Sequence, residues 1–417
     1  MPSRRKFLKQ TSAIAAGLVL ERNAGRNAIA KPPAGDDGLI RGISRSIIFN
    51  GREQGPSWFH PRPALLPSNG KPRVLMTLQL ISGSDVFGPV HWTLTEDGGA
   101  TWTKPEPIPG LGRVPLEPDW ERGVCDVVPE YHAASNTVLA IGHDVFYKNG
   151  VLARPQRARQ PVYLSRSADG HWSKPRHLKW DHPNTSGIYS CGCSQRVIRP
   201  DGDVLIPLTF GPLEPVNRSV TSVLCRYDGA TLTVKKSGNV LKSGVKRGLL
   251  EPSLTNFDDA YYMTIRAEDG RGYVTTSDDG LNWSEQQPWC WDDGAPLTMS
   301  TTQQHWLAHS DGLFLVYTRE TPENSKVIRY RAPLFVARVD PTRLCLVRES
   351  ERVVFPIADE VQNPRHVALM GNFHTLNVTA TESWVTVGEN RPYDGYQGDT
   401  LLARIAWSAS NGRVNLE

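Results

Sequence analysis

Short apolar runs alternate with polar turns along this chain, and the alternation itself repeats. Six times an apolar strand, a polar turn and a second apolar strand ending in charged or polar residues follow one another. The copies begin at Arg62-Pro-Ala-Leu, Asp126-Val-Val-Pro-Glu-Tyr-His, Gln195-Arg-Val-Ile, Glu251-Pro-Ser-Leu, Gln304-His-Trp-Leu and His374-Thr-Leu-Asn-Val. Runs rich in Val, Ile, Leu, Tyr and Thr, bounded by Gly, Pro, Asp and Asn, predict strands, and long helical periodicity is absent. The copies start about 50–70 residues apart, the spacing of a β-propeller blade or another repeat array. The pattern predicts an all-β, six-bladed β-propeller, with seven blades as the alternative if one copy has diverged. A propeller sets the start of every inner strand around one central mouth, so residues far apart in the chain converge there. The runs 44–49 and 400–407 lie at opposite ends and are expected to pair, because a closed ring completes its last blade from both termini.

A second signal recurs between the strand pairs. Thr95-Glu-Asp97-Gly98-Gly99-Ala-Thr101-Trp102, Ser277-Asp-Asp279-Gly280-Leu-Asn-Trp283 and the degenerate Ser167-Ala-Asp169-Gly170-His-Trp172 share one form. Each reads as a hairpin turn in which Asp accepts backbone N–H bonds, Gly supplies a positive φ and Trp packs beneath. These are Asp-boxes, structural rather than catalytic.

The N-terminus changes the picture of where the protein works. Ser3-Arg4-Arg5-Lys6-Phe7-Leu8-Lys9 precedes the apolar run 11–20, and Ala28-Ile29-Ala30 precedes Lys31. This reads as a twin-arginine export signal over residues 1–30, with a periplasmic or secreted product. Its apolar run is too short to span a bilayer, so no stable membrane anchor is expected. Residues 31–42 read as a linker and 43–417 as the propeller. The net charge of +4 comes from 47 basic and 43 acidic residues dispersed along the chain, which leaves no nucleic-acid footprint. The six cysteines form no spaced framework; one disulfide is open, with no pairing assigned.

With both repeats in hand, the chain resembles the sialidase-like Asp-box (BNR repeat) propellers from about Arg62 to Glu389. Bacterial exo-sialidases carry a Glu-Pro-x-Leu strand, then an Arg ending the next strand, just before an Asp-box. Leu249-Leu-Glu251-Pro-Ser-Leu, Tyr262-Met-Thr-Ile-Arg266 and Ser277 follow that order. The resemblance implies that Glu251 polarises a nucleophile and that Arg266 is one of three arginines clamping the sialic carboxylate. Phe59-His60-Pro-Arg62-Pro-Ala-Leu is similar to the family's first-arginine strand. Asp85, in Ser82-Gly-Ser-Asp85-Val-Phe-Gly-Pro-Val-His91-Trp92, occupies the place of the general acid. The third arginine is open among Arg319, Arg329 and Arg331. The last blade departs from the pattern: Gly371-Asn372-Phe373-His374-Thr375 puts a histidine where those enzymes carry a nucleophilic tyrosine.

Apart from the resemblance, inner-strand starts place His60, Arg62, Glu130, His132, Gln195, Glu251, Gln304, His305 and His374 at the mouth. Second-strand exits add Asp85, His91, His143, Asp144, Arg266, Glu268, Arg319 and Glu389. Six of the eleven histidines fall at these positions. Converging Arg62 and Arg266 make a carboxylate clamp and imply an acidic sugar as ligand, with Arg319 a further candidate contact. Hydrolysis needs an acid and an opposing base or nucleophile, roles open to Asp85 and Glu251. The alternative within enzymes is a uronate lyase or rhamnose–glucuronate-cleaving enzyme in which His374 or His91 abstracts the proton. A non-catalytic glycan-binding propeller is the reading from another class. His60, Gln304, His305 and Glu389 are the expected substrate contacts. No spacing among His60, His91, His305 and His374 supports a metal, and no cofactor is implied. Trp289-Cys-Trp291 and Tyr189-Ser-Cys-Gly-Cys193 read as loop-shaping pieces, with sugar stacking as their functional alternative.

Overall fold

The computed structural model describes residues 38–414 except 54, 184–186, 359–362 and 364. The export signal 1–30 and the first residues of the linker lie outside the described residues. Six antiparallel sheets succeed one another along the chain and form a six-bladed β-propeller. The inner hairpins are Trp58–Leu66 with Arg73–Gly83, Trp120–His132 with Thr137–Lys148, Leu250–Phe257 with Ala260–Arg266, His305–His309 with Gly312–Tyr317, and Phe373–Thr379 with Glu382–Gly388. In blade three the inner strand is split into Ile188–Ser190 and Val197–Ile198, both paired with Val204–Gly211. All six sequence repeats are therefore the first two strands of a blade. The ring closes as expected, with Ile40–Phe49 pairing Thr400–Trp407 from Ile40 opposite Trp407 to Phe49 opposite Thr400. That strand begins inside the stretch 31–42 read as a linker; Ile40 is buried, and its burial extends the closure toward the N-terminus.

The core lies between blades rather than within one. Val204, Ile206 and Leu208 of blade three pack on Leu139, Ile141 and Tyr163 of blade two, and Trp306, Leu315 and Tyr317 of blade five on Tyr262 and Val274 of blade four. Inner strands meet neighbours on both faces, so Trp58–Leu66 is buried almost throughout, whereas the outermost strand Glu106–Pro107 is exposed and carries a charge and a proline, which discourage edge pairing. At the end away from the mouth, the Asp-containing turns behave as read. Asp97 accepts from the Ala100 and Thr101 backbone N–H at 3.0 and 2.9 Å, and Asp279 from Leu281 and Asn282 at 2.8 and 2.7 Å. Each turn wedges its tryptophan against the preceding blade. Trp102 meets Trp384, Trp172 meets Trp92, and Trp283 donates Nε1–H to Ser222 at 2.9 Å. Gly99 and Gly280 sit at φ 77° and 75°, and a Cβ on Gly280 would lie 2.5 Å from Leu205.

Candidate functional site

Four inner strands reach the mouth with a break in their pairing, and at each break one non-glycine residue is left-handed. These are His60 (φ 52°), Asp126 (φ 54°), Cys193 (φ 59°) and Glu251 (φ 44°). The ladder slips between Phe59 and Arg62, between Cys125 and Val128, and between Leu250 and Ser253. A bulge re-aims a side chain that would otherwise lie between blades, and each such backbone costs about 1–3 kcal/mol. Four of them at one end of the molecule mark the place where local stability has yielded to the arrangement of side chains.

The floor of the mouth is a closed network around Arg62. Its guanidinium is fully buried and donates to the Phe373 carbonyl, to Gln303 Oε1 at 3.1 Å and to Asp126 Oδ1 at 3.1 Å. Gln303 also donates to the Phe373 carbonyl at 2.7 Å, and His60 Nε2 lies 3.4 Å from Asp126 Oδ1. Burial alone would raise the Asp126 carboxyl; the His60, Arg62 and His143 charges outweigh it and hold it at about 2. Below this floor, Gln195 braces the channel, donating to the Trp306 carbonyl and Thr375 hydroxyl and accepting from the Trp306 N–H at 2.6 Å. A separate cavity of about 330 Å³ opens beneath it, away from the mouth.

Above the floor the charges are denser. Arg266 binds Glu251 through Nη1 and Thr301 through Nε at 3.2 Å, and Nη2 lies 4.0 Å from Glu268. Burial disfavours the Glu251 carboxylate, but Arg266 prevails and keeps it below its ordinary value. Arg247 binds Glu268. Arg331 is half-buried and its guanidinium makes no hydrogen bond or ion pair among the described residues; its Nε is buried without a partner. Burial, then the charges of Arg329 and Arg266, bring Arg331 down to about 9. A Cβ on Gly371 would come within 2.8 Å of it, so glycine there makes its room. Asp85, left-handed at φ 57°, stands exposed in the turn above blade one, and its charge acts on His60, Arg159, Arg247 and Arg331. The enclosure expected around Asp85 is absent.

Cys125, Asp126 and His143 place one ligand atom each within 4.8 Å of one another, with Cys125 Sγ 3.4 Å from His143 Nε2. Cysteine, carboxylate and imidazole are zinc-type donors, but the surroundings do not suit a cation. Asp126 is already shared by Arg62 and His60, Arg159 acts on the thiol, and burial pushes Cys125 well above its ordinary value. Burial also brings His143 down to about 4, so the pair is a neutral thiol and a neutral imidazole at pH 7. All six cysteines are free, so none forms the disulfide left open by the sequence.

Several sequence-predicted residues do not meet at the mouth. Arg319 is bound by both carboxylate oxygens of Glu351 at 2.8 and 2.6 Å, donates to the Glu320 carbonyl at 2.8 Å and lies over Trp291 and Phe335, so its charge is paired away from the clamp; Arg331 stands nearer Glu251 and Arg266. His374 lies under the Phe373 carbonyl that Arg62 occupies, edge-on to His305 at 4.8 Å, and lines the lower cavity; mouth level on that strand is Asn372. His305 is fully buried, its Nδ1 2.9 Å from Ser253 Oγ. Gln304 turns sideways to Thr264 and Met299, and its neighbour Gln303 faces the floor instead. His91 sits on the third strand of blade one, 2.9 Å from the Pro89 carbonyl and packed on Trp58. Glu389 is buried and bound to Arg52 at 2.6 and 2.7 Å, which ties the N-terminal loop to the last blade. Glu130 pairs Arg196 at 3.0 Å within the lower channel, and His132 caps the far end of its strand. Trp289, Trp291 and Tyr189 are core residues between blades, not stacking platforms. Asp126 was overlooked as a site residue, although it opens its repeat just as Arg62 and Glu251 open theirs.

Compared with family models and with curated proteins, the chain has no match. Solved structures do resemble it. A protein of unknown function from Dyadobacter fermentans superposes with a TM-score of 0.62 at 15% identity, over 88% of this chain and 100% of that one. Trypanosoma rangeli sialidase in complex with sialic acid gives 0.60 at 13%, over 88% of this chain and 59% of that one. The NanB sialidase of Streptococcus pneumoniae gives 0.58 at 10%, over 89% and 70%. At these identities the likeness is one of fold: a sialidase-like six-bladed propeller. This chain spans little more than half of the trypanosomal enzyme.

Proposed function

We propose that this protein is an exported exo-glycosidase that hydrolyses a terminal acidic sugar from a glycan. The observation that carries the reading is the group at the mouth: Arg266 and Arg331 beside an ionised Glu251, with Asp85 exposed opposite. Arg331 and the free edge of Arg266 are planar donors suited to a sugar carboxylate. Asp85 is the general acid that protonates the leaving oxygen, and a bound sugar supplies the enclosure that raises its proton affinity. Glu251, held ionised by Arg266, acts as base toward water or stabilises positive charge developing at the ring. Arg62 and Asp126 hold the floor and position Phe373; Arg62 is a positioning residue rather than a clamp arm. The sialidase-like Asp-box resemblance and the fold both favour this chemistry, and the twin-arginine signal favours a periplasmic site of action. Hydrolysis is preferred to elimination because neither His91 nor His374, the proton acceptors elimination was assigned, stands among these groups.

The test is to incubate the mature protein with glycans ending in sialic acid, glucuronic acid or rhamnose–glucuronic acid, following released sugar and near-ultraviolet absorbance together. Sugar released without absorbance supports the hydrolase. Rising absorbance from a new C=C bond establishes a lyase, and binding without turnover establishes a glycan-binding propeller.

A further inference from the structure

The arginines around the mouth occupy a repeated station. In blade two the backbone carbonyl of Arg159, just before the third strand Pro161–Ser167, accepts from Tyr189 N–H at 3.1 Å. In blade three the carbonyl of Arg218, just before Ser219–Tyr227, accepts from Leu249 N–H at 2.9 Å. In blade five the carbonyl of Arg331, shortly before Leu334–Asp340, accepts from Met370 N–H at 2.7 Å. In each case the donor belongs to the segment entering the next blade's inner strand. The same backbone bond thus pins an arginine at three seams of the ring, with its side chain at the mouth end. Blade four has Arg271 beside this station, but its guanidinium is spent on the Trp289 carbonyl at 2.7 Å.

Arg331 belongs to the clamp already described. Arg159 and Arg218 do not. Among the described residues neither has an ion pair with a carboxylate, although Asp85 and Asp126 act on Arg159 and Glu268 on Arg218 from further off: Arg159 Nε donates to Gln156 at 3.0 Å, and the Arg218 guanidinium has no hydrogen-bond or ion-pair partner, its Nε being buried. Arg247, next to Arg218 through the Arg218 N–H to Arg247 carbonyl bond of 2.8 Å, is neutralised by Glu268. Burial and then the charges of Arg159 and Arg247 bring Arg218 down to about 10. Around the mouth seven arginines (62, 159, 218, 247, 266, 329 and 331) face Asp85, Asp126, Glu251 and Glu268. Half-buried like charges without an ion-pair partner repel, a cost that a bound anion relieves.

We infer that Arg159 and Arg218 form a second anion subsite across the seams of blades two to four, so that the ligand is a glycan bearing two anionic groups: a terminal carboxylate at Arg266 and Arg331, and a sulfate or carboxylate on the adjoining sugar. This rests on the acidic-sugar reading of the mouth. The experiment is calorimetric titration of wild type, Arg159→Ala, Arg218→Ala and Arg271→Ala with a sulfated uronate disaccharide, its unsulfated counterpart, and inorganic sulfate. Wild type and Arg271→Ala should bind the sulfated sugar about tenfold more tightly or better, one charged contact being worth about that factor. Arg159→Ala and Arg218→Ala should abolish the preference while leaving affinity for the unsulfated sugar unchanged. Equal binding of both sugars by wild type overturns the inference, as does a preference that survives in both variants. If neither sugar binds but inorganic sulfate binds wild type and not Arg218→Ala, the subsite stands and the acidic-sugar reading of the clamp fails; if sulfate also fails to bind, both fall.

Discussion

The two ends of this propeller use the same residue types in opposite ways. At the far end, Asp97 and Asp279 accept local backbone N–H and side-chain donors, glycine takes the left-handed positions of these turns, and each tryptophan locks one blade to the one before. At the mouth, aspartate, glutamate, histidine and cysteine take the left-handed positions themselves, and Arg218 and Arg331 converge without carboxylate partners. The first end is optimised for the ring. The second carries backbone strain and like-charge repulsion that the ring must offset, the usual mark of a site shaped for a ligand.

The comparison breaks most sharply at Asp85. Asp85→Asn should lower kcat by about 10²–10⁴, the usual contribution of a general acid, with little change in melting temperature; released sugar and a thermal scan check both halves. Full activity in that variant removes Asp85 from the chemistry. Arg62 gives the opposite outcome. Arg62→Ala takes the guanidinium from Asp126, which keeps His60, and from the Phe373 carbonyl, which keeps Gln303, so unfolding in urea should show a loss of about 3–5 kcal/mol, as for other broken buried pairs.

Acid should weaken the mouth before the turns. At the mouth His143 is brought down to about 4 and His60 below its ordinary value, and in the channel beneath it His305 and His374 lie well below theirs. Depressed imidazoles bind protons more weakly folded than unfolded, so the stability they allow is complete above about 6.5 and falls as pH drops toward about 4, by at most about 1.4 kcal/mol per pH unit for each group. Replacing His143 with Gln should flatten the slope of unfolding free energy over that window; an unchanged slope assigns the acid sensitivity elsewhere. The turn aspartates act lower on the scale. Asp279, at about 2, contributes stability present above about 3.9 and lost as pH falls through about 2. The smallest effect is expected from Asp279→Ala, which removes local bonds at a solvent-screened turn and should cost no more than about 1 kcal/mol.

The fold was legible because its signals are local and repeated. The six strand pairs, the three Asp turns and the two terminal strands each follow from short apolar runs bounded by turn residues within about 20 residues. The site was legible only in part. Glu251, Arg266 and Asp85 come to the mouth where the sequence placed them. Asp126 was visible as the first residue of its repeat but lacked a local motif. His374 and Gln304 were misplaced by one or two residues along their strands, and in a strand that shift turns a side chain from the mouth to the channel or into the blade.

The sequence by itself determined the strand pairs of the blades and the two terminal strands, since short apolar runs and turn residues are written in neighbouring positions; the tertiary structure decided that six blades close the ring, because that pairing joins Ile40 to Trp407 across the whole chain. Only the tertiary structure decided which charges are paired. Arg319 is consumed by Glu351 and Arg62 by Asp126, while among the described residues Arg159, Arg218 and Arg331 have no carboxylate ion pair, although nothing in their local sequence tells them apart. The reason is geometric: an arginine's partner is fixed by the angle between blades and by the seam bond that pins its backbone, and both exist only once all six blades have closed around the axis.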